Sequence, residues 1–150
     1  MRKIAISACL LGEPCRHDAS DNKNLALLEQ LQEDTLISFC PEDYAFGSPR
    51  PTMDLQINRS SHTGSKAICN VSGKDLSTPI KTYAKMFFDT DTDIDLVIGK
   101  DRSPSCGVCS AKLYDEEKNL LSSKEAGLMI QEAQKRNIKC IDAEKFNTLG

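Results

Sequence analysis

The apolar positions fall into short runs separated by stretches rich in turn formers. Ile4, Ala5, Ile6 and Ala8, with Ser7 among them, form a first run with no polar face, as in a strand covered on both sides. Residues 9–21 then hold Gly12, Pro14, Asp18, Ser20 and Asp21, a loop by composition. Leu25, Leu28 and Leu31, with Ala26 and Leu27, have helical spacing behind Asp21 or Asn22 as N-cap. Thr35–Phe39 reads as a second strand ending at Cys40-Pro41, because proline cannot continue a central ladder. Residues 41–56 carry Pro41, Gly47, Pro49 and Pro51 and read as an ordered loop. Leu55–Asn58 and Ala67–Val71 are expected as two short strands around a polar turn at 59–65.

Thr78-Pro79 marks a helix start, with threonine as cap and proline at the first helical position, and the helix runs to about Phe88. Asp95–Gly99 is a buried strand ending in glycine, and residues 100–111 are loop. Lys112–Tyr114 and Asn119–Leu121 are expected as a second hairpin. Ser123–Arg136 is read as a helix with Ala126, Met129, Ile130 and Ala133 on one face, followed by a strand at Lys139–Ile141. Alternating strands and helices predict an α/β fold: a three-layer, mostly parallel sheet with helices on both faces and short hairpin insertions. No repeat or linker suggests a second domain, so 1–150 is expected to be one domain, which this length can stabilise with its own core.

Composition narrows the function classes. The balance of 19 Lys and Arg against 22 Asp and Glu gives a net charge of −3, which disfavours broad binding to a nucleic-acid backbone. Trp is absent and aromatics are 5%, leaving little for a base-stacking platform. Met1-Arg2-Lys3 runs straight into a strand, with no leader-like segment, and no apolar run is long enough to span a bilayer, so no membrane association and a reducing cytoplasm are expected. Seven cysteines in 150 residues fall below the density of a disulfide scaffold. In a reducing compartment, clustered cysteines point to metal ligands or reactive thiols.

Cys9, Cys40 and Cys106 each follow the carboxyl end of an expected parallel strand, where α/β sheets place their ligands. Their loops carry suitable companions. Ser7 to Gly12 offers free backbone N–H groups, Glu42 stands two residues after Cys40, Arg50 sits on the stiff Gly47–Pro51 loop, and Ser103 and Ser105 flank the third thiol. Hydroxyls and N–H groups near metal-bound sulfurs tune and orient such a site, and a nearby carboxylate can act as general base. Cys109 makes a CxxC with Cys106, so a tetrahedral zinc site from Cys9, Cys40, Cys106 and Cys109 competes, as does a redox-sensing module without catalysis. Cys69 and Cys140 fall in expected strands and read as core, while Cys15 and Cys109 stay unassigned beside the site, each open to being a fourth ligand in a resting state.

The blocks SACLLGEPCRHD, CPEDYAFGSPRP and KDRSPSCG, with VSGKDLSTPI downstream, resemble the signature of the family that contains the bacterial thiouracil desulfidases, long catalogued as a domain of unknown function. The resemblance implies a [4Fe–4S] cluster on Cys9, Cys40 and Cys106 with one iron free of protein ligands. It implies proton-handling roles for Glu42 and Ser103, and a small thiolated pyrimidine as substrate, whose sulfur leaves as hydrogen sulfide. Ser7, Gly12, Arg50 and Ser105 complete the expected substrate-binding set. Such a cluster is oxygen-labile, so aerobic preparations can lack it. The chain departs from the family at His17, where an aromatic is usual, at Ala19, where glycine is usual, and at Met53-Asp54.

Overall fold

The computed structural model describes residues 2–18, 21–47, 49–57 and 65–149. Its centre is a parallel sheet of β1 (Lys3–Ser7), β2 (Thr35–Phe39), β5 (Leu96–Gly99) and β8 (Cys140–Asp142), in the order β2-β1-β5-β8. Ile4 pairs with Leu36 and Leu96, which fixes the register. Because side chains alternate along a strand, Ile4, Ile6, Leu96 and Ile98 project to one face and Ala5, Phe39 and Val97 to the other. Leu27 and Leu31 of the α1 (Leu25–Gln30) segment and Ala143 of α5 (Ala143–Leu149) cover the first face. The second is covered by Ala84, Phe87 and Phe88 of α3 (Ser77–Thr90) and by Met129, Ile130 and Ala133 of α4 (Leu128–Lys135). The expected three-layer α/β arrangement with a parallel sheet is therefore present.

The two hairpins do more than decorate it. Strands β3 (Met53–Ile57) and β4 (Ser65–Cys69) pair antiparallel, as do β6 (Ala111–Tyr114) and β7 (Leu120–Glu125). Parallel pairing of β3 with β6 joins them into a second sheet, β4-β3-β6-β7. Met53, Leu55, Ala67 and Ala111 pack there with Ile80 of α3 and Leu128 of α4, so both helices are sandwiched between two sheets. Most of the turn expected at 59–65 lies outside the described residues.

Several boundaries differ from expectation for local reasons. Residues 41–46 form a helix, α2 (Pro41–Phe46), instead of loop: Cys40 caps it, Pro41 takes the first position and Glu42 and Asp43 occupy the first turn. Asn24 caps α1 through the Leu27 N–H, not Asp21 or Asn22. Asp75 anchors the start of α3 by accepting from the Ser77 N–H and hydroxyl. Ser123, Lys124 and Glu125 belong to β7, and α4 begins only after Gly127.

Candidate functional site

The order β2-β1-β5-β8 reverses direction at β1, and the crevice outside the carboxyl ends of such a sheet is where ligands bind. Cys9 follows β1, Cys40 follows β2 and Cys106 follows β5, and all three line one open cavity of about 460 Å³. Ser7, Cys15, Asn22, Glu42, Arg50, Lys100 and Ser103 share its wall, with His17 and Met53 at two of the positions that depart from the family pattern. Ala19, the third departure, lies outside the described residues.

Each thiol is held by its own element. Cys9 sits in a turn of 3-10 helix (Ala8–Leu11) that continues β1, and Gly12 ends that turn at φ +97°. Gly12 N–H bonds the Cys9 carbonyl at 3.2 Å, so this glycine shapes the loop and is not itself on the cavity wall. Cys40 is the N-cap of α2, and its N–H donates to the Tyr83 hydroxyl at 3.3 Å, tying the thiol to α3. Cys106 is held by its N–H, which donates to the Ser103 Oγ at 3.1 Å. Asp142 at the end of β8 grips the next turn by accepting from the Val108 and Cys109 N–H groups, both at 2.8 Å. Two glycines allow the close approach. A Cβ on Gly99 would run into the Cys106 carbonyl, and one on Gly127 into the Ser105–Cys106 peptide.

The thiols differ in protonation. Hydrogen bonding from Cys15 lowers Cys9 to about 6 against the cost of burial, with Asn22, Ser7 and Lys100 assisting. Cys15 likewise lowers Cys40, and is itself driven up by its contacts with Cys40 and Cys9. Burial raises Cys106 well above the ordinary thiol value, and the charges of Cys40, Glu42 and Cys9 add to it. Ser7 Oγ lies 4.0 Å from the Cys9 sulfur and also hydrogen-bonds Cys106, so its hydroxyl serves the sulfurs.

The carboxylate is fixed as firmly. Ser105 Oγ donates to Glu42 Oε2 at 2.6 Å, and Arg50 Nε stands 3.6 Å from Oε1. Arg50 also reaches Asp43 at 3.8 Å and donates to the Gly47 carbonyl at 3.0 Å. Ser105 is fully buried and does not line the cavity, so its contact is with Glu42 rather than with a ligand there. Ser103 Oγ accepts from two backbone N–H groups, of Ser105 and Cys106. That leaves its own O–H to donate, and Ser103 lines the cavity.

Of the remaining cysteines, Cys69 and Cys140 fall in β4 and β8 as expected. Cys15 joins the site, and Cys109 does not: it is exposed, off the cavity wall, with its thiol directed at the Lys124 carbonyl at 3.9 Å. The zinc set that needs Cys109 is therefore not assembled. Among the described residues, no group of three or more His, Cys, Asp or Glu side chains is placed to hold a single metal ion. Sequence reasoning passed over Asn22, whose Nδ2 donates to the Cys9 sulfur at 3.8 Å, and Lys100, directly after β5. The signal for Lys100 was its place: first residue beyond a strand in the same block as Ser103 and Cys106.

No curated protein sequence matches the chain. Among solved structures, a [4Fe-4S]-dependent thiouracil desulfidase, TudS, superimposes with a TM-score of 0.73 at 25% identity, covering 99% of this chain and 95% of its own. The family model described as 2-thiouracil desulfurase matches residues 4–145, a span that holds every cavity residue from Ser7 to Cys106. On that match the chain belongs to the 2-thiouracil desulfurase family.

Proposed function

We propose that this protein is an iron–sulfur-dependent desulfidase that removes the thiocarbonyl sulfur of a small thiolated pyrimidine as hydrogen sulfide and leaves oxygen in its place. The observation that carries the reading is the convergence of Cys9, Cys40 and Cys106, from three strand ends, on one cavity with Glu42 and Ser103. The solved relative named for [4Fe-4S] dependence and for thiouracil supports it.

The donor set fits a cluster. Thiolate is the ligand that iron–sulfur clusters take, and the thiols here stand at separate loop ends around an open space instead of crowding one point. Sulfurs that bind different irons stand farther apart than sulfurs sharing one ion, consistent with the lack of a single-ion site. Lys100 and Arg50 supply positive charge beside the thiolates. Cys9, Cys40 and Cys106 would hold a [4Fe–4S] cluster, which when bound supplies a Lewis-acidic iron, free of protein ligand, that polarises the thiocarbonyl.

The chain's own residues then handle water and protons. Glu42, oriented by Ser105 and Arg50, takes a proton from the water that attacks the ring carbon. Ser103, its oxygen occupied by backbone N–H groups, donates its hydroxyl proton toward the substrate. The reaction balances as thiocarbonyl plus water giving carbonyl plus hydrogen sulfide, with no net electron transfer. All seven cysteines are free thiols, which suits a reducing compartment, and no helix among the described residues is long and apolar enough to cross a membrane.

Anaerobic reconstitution tests the reading. The expected protein is brown, with a broad band near roughly 400 nm, and releases sulfide from 2-thiouracil. Cys106→Ala and Glu42→Ala should abolish release. A colourless protein with stoichiometric zinc and no iron would overturn the proposal. A Glu42→Ala variant with intact cluster and full activity would remove only the proton role.

A further inference from the structure

Ser103 and Cys106 stand on one loop, which leaves the first sheet after Gly99 and enters the second at Ala111. Its tip is closed on itself. Cys106 N–H donates to the Ser103 Oγ at 3.1 Å and Gly107 N–H to the Ser103 carbonyl at 3.0 Å, so hydroxyl and thiol move as one unit. The two arms that carry this tip meet at Ser110. Its Oγ accepts from the Arg102 N–H at 2.8 Å and donates to Asp142 Oδ1 at 3.0 Å. Asp142 holds the returning arm at two further points, taking the Val108 N–H on Oδ1 and the Cys109 N–H on Oδ2, both at 2.8 Å. This carboxylate is buried on β8, in register beside Gly99, so the neck of the loop is anchored to the strand next to its point of departure. Arg102 supplies an independent sign that the neck is under constraint. Its φ is +66°, a left-handed backbone that a long side chain takes only when its surroundings hold it there. Its guanidinium pairs with Glu144, but both side chains are more than half exposed, and such a pair contributes little. The bond from its N–H to Ser110 is the contact that fixes the backbone at this point.

We propose that Ser110 and Asp142 are positioning residues that close the neck of the 102–110 loop and thereby set Ser103 and Cys106, as one unit, against the cavity. The role in turnover rests on the desulfidase reading above. Neither side chain lines the cavity, so each acts through the loop and not on a substrate. The need for such a strap is geometric. Cys9 and Cys40 are presented by other strands, and a reacting constellation has to be held to within about 0.5 Å. A tip hinged on two free arms would lose that alignment, and with it the aim of the Ser103 hydroxyl.

Two readouts test this on the full chain as wild type, Ser110→Ala and Ser110→Thr. The first uses cluster-free protein and follows alkylation by iodoacetamide, cysteine by cysteine, by mass spectrometry. Cys106 is buried and should react slowly in wild type. In Ser110→Ala it should react about tenfold faster, because the Arg102 N–H loses its acceptor and the neck opens. Cys69, on the second sheet, should keep its wild-type rate. The second readout is sulfide release from 2-thiouracil after anaerobic reconstitution, counted per cluster-loaded chain. In Ser110→Ala kcat should fall about tenfold with KM held. Ser110→Thr keeps the hydroxyl and should lie near wild type in both. An unchanged Cys106 rate in Ser110→Ala would overturn the proposal. So would an equal rise at Cys69, which would mean general loosening, a Ser110→Thr as impaired as Ser110→Ala, or undiminished turnover with the neck open. A wild-type chain that takes up no iron would overturn the desulfidase reading instead, and the alkylation rates distinguish that failure from a failure of the strap.

Discussion

A hydroxyl with no exposed surface cannot touch a diffusing substrate, and Ser105 is such a hydroxyl. Read along the chain, it stands beside Cys106 and looks like a ligand contact; in the fold it is buried behind Glu42 and donates to its Oε2 at 2.6 Å. A hydrogen bond to a charged group contributes about 1.5–3 kcal/mol, so Ser105→Ala should lower turnover by about 10- to 100-fold. Steady-state kinetics with an iron assay should show kcat falling while KM and iron content hold. Cys109 makes the converse case. It completes a CxxC that reads as chemistry, yet its side chain is exposed and off the cavity wall. Cys109→Ser should retain full iron and full activity, and loss of metal in that variant would restore the CxxC reading. Cys15 and Cys109 have equally suggestive neighbours in the sequence. Which one reaches the site depends on where Gly12 turns the first loop and where Asp142 pulls the third. The first is local, but the second joins parts of the chain 33 residues apart.

Elements with a strong local signature were legible. The apolar runs of β1 and β5 and the segment Thr35–Phe39 of β2 read as strands bounded by turn formers, and Cys9, Cys40 and Cys106 follow their ends. The α2 helix was signalled by Pro41, Glu42 and Asp43 in its first turn, but the prolines that follow masked it. The start of β7 was legible at Asn119–Leu121, but its later part was hidden by Ser122, Ser123, Lys124 and Glu125, which suit a helix as well as an exposed edge strand. Gly127 decides where that strand gives way to α4, and its requirement is steric. Gly127→Ala drives a Cβ into the Ser105–Cys106 peptide, so it should cost at least about 2 kcal/mol and loosen cluster retention, as chemical denaturation and iron counting would show. At the opposite end of the sheet, Asp34 accepts from the Arg2 N–H at 3.1 Å and from its guanidinium at 3.1 Å. The Arg2 guanidinium holds the Asp34 carboxyl below the usual carboxylate range. The stability from that pair is present above the unfolded value of about 4 and is lost as pH falls through the folded value. Asp34→Asn should therefore be less stable at neutral pH, with the difference from wild type shrinking in acid, a comparison that urea melts across pH can make.

At the scale of the whole molecule, the parallel sheet followed from alternation of strands and helices, whereas the second sheet did not. It depends on β3 meeting β6, in a register that pairs Leu55 with Leu113, and no local pattern announces a contact between segments so far apart. That second sheet contributes Met53, one of the departures from the family pattern, to the cavity wall. A cluster bound across the loops after β1, β2 and β5 would brace the folded state alone, and a ligand that binds only the folded chain raises its stability. The loaded protein should melt several degrees above the cluster-free one by calorimetry, and stripping the iron with a chelator should abolish the difference. The two glycines that admit the Cys106 loop carry one more consequence, which concerns timing. Cys9 and Cys40 emerge early in synthesis, but the loop that presents Cys106 is seated by the backbone at Gly127, and its next turn is held by Asp142. The third thiol is thus in place only once the segments out to Asp142 are made and folded. On the ligand set proposed above, a cluster would therefore be inserted after folding and not into a nascent chain.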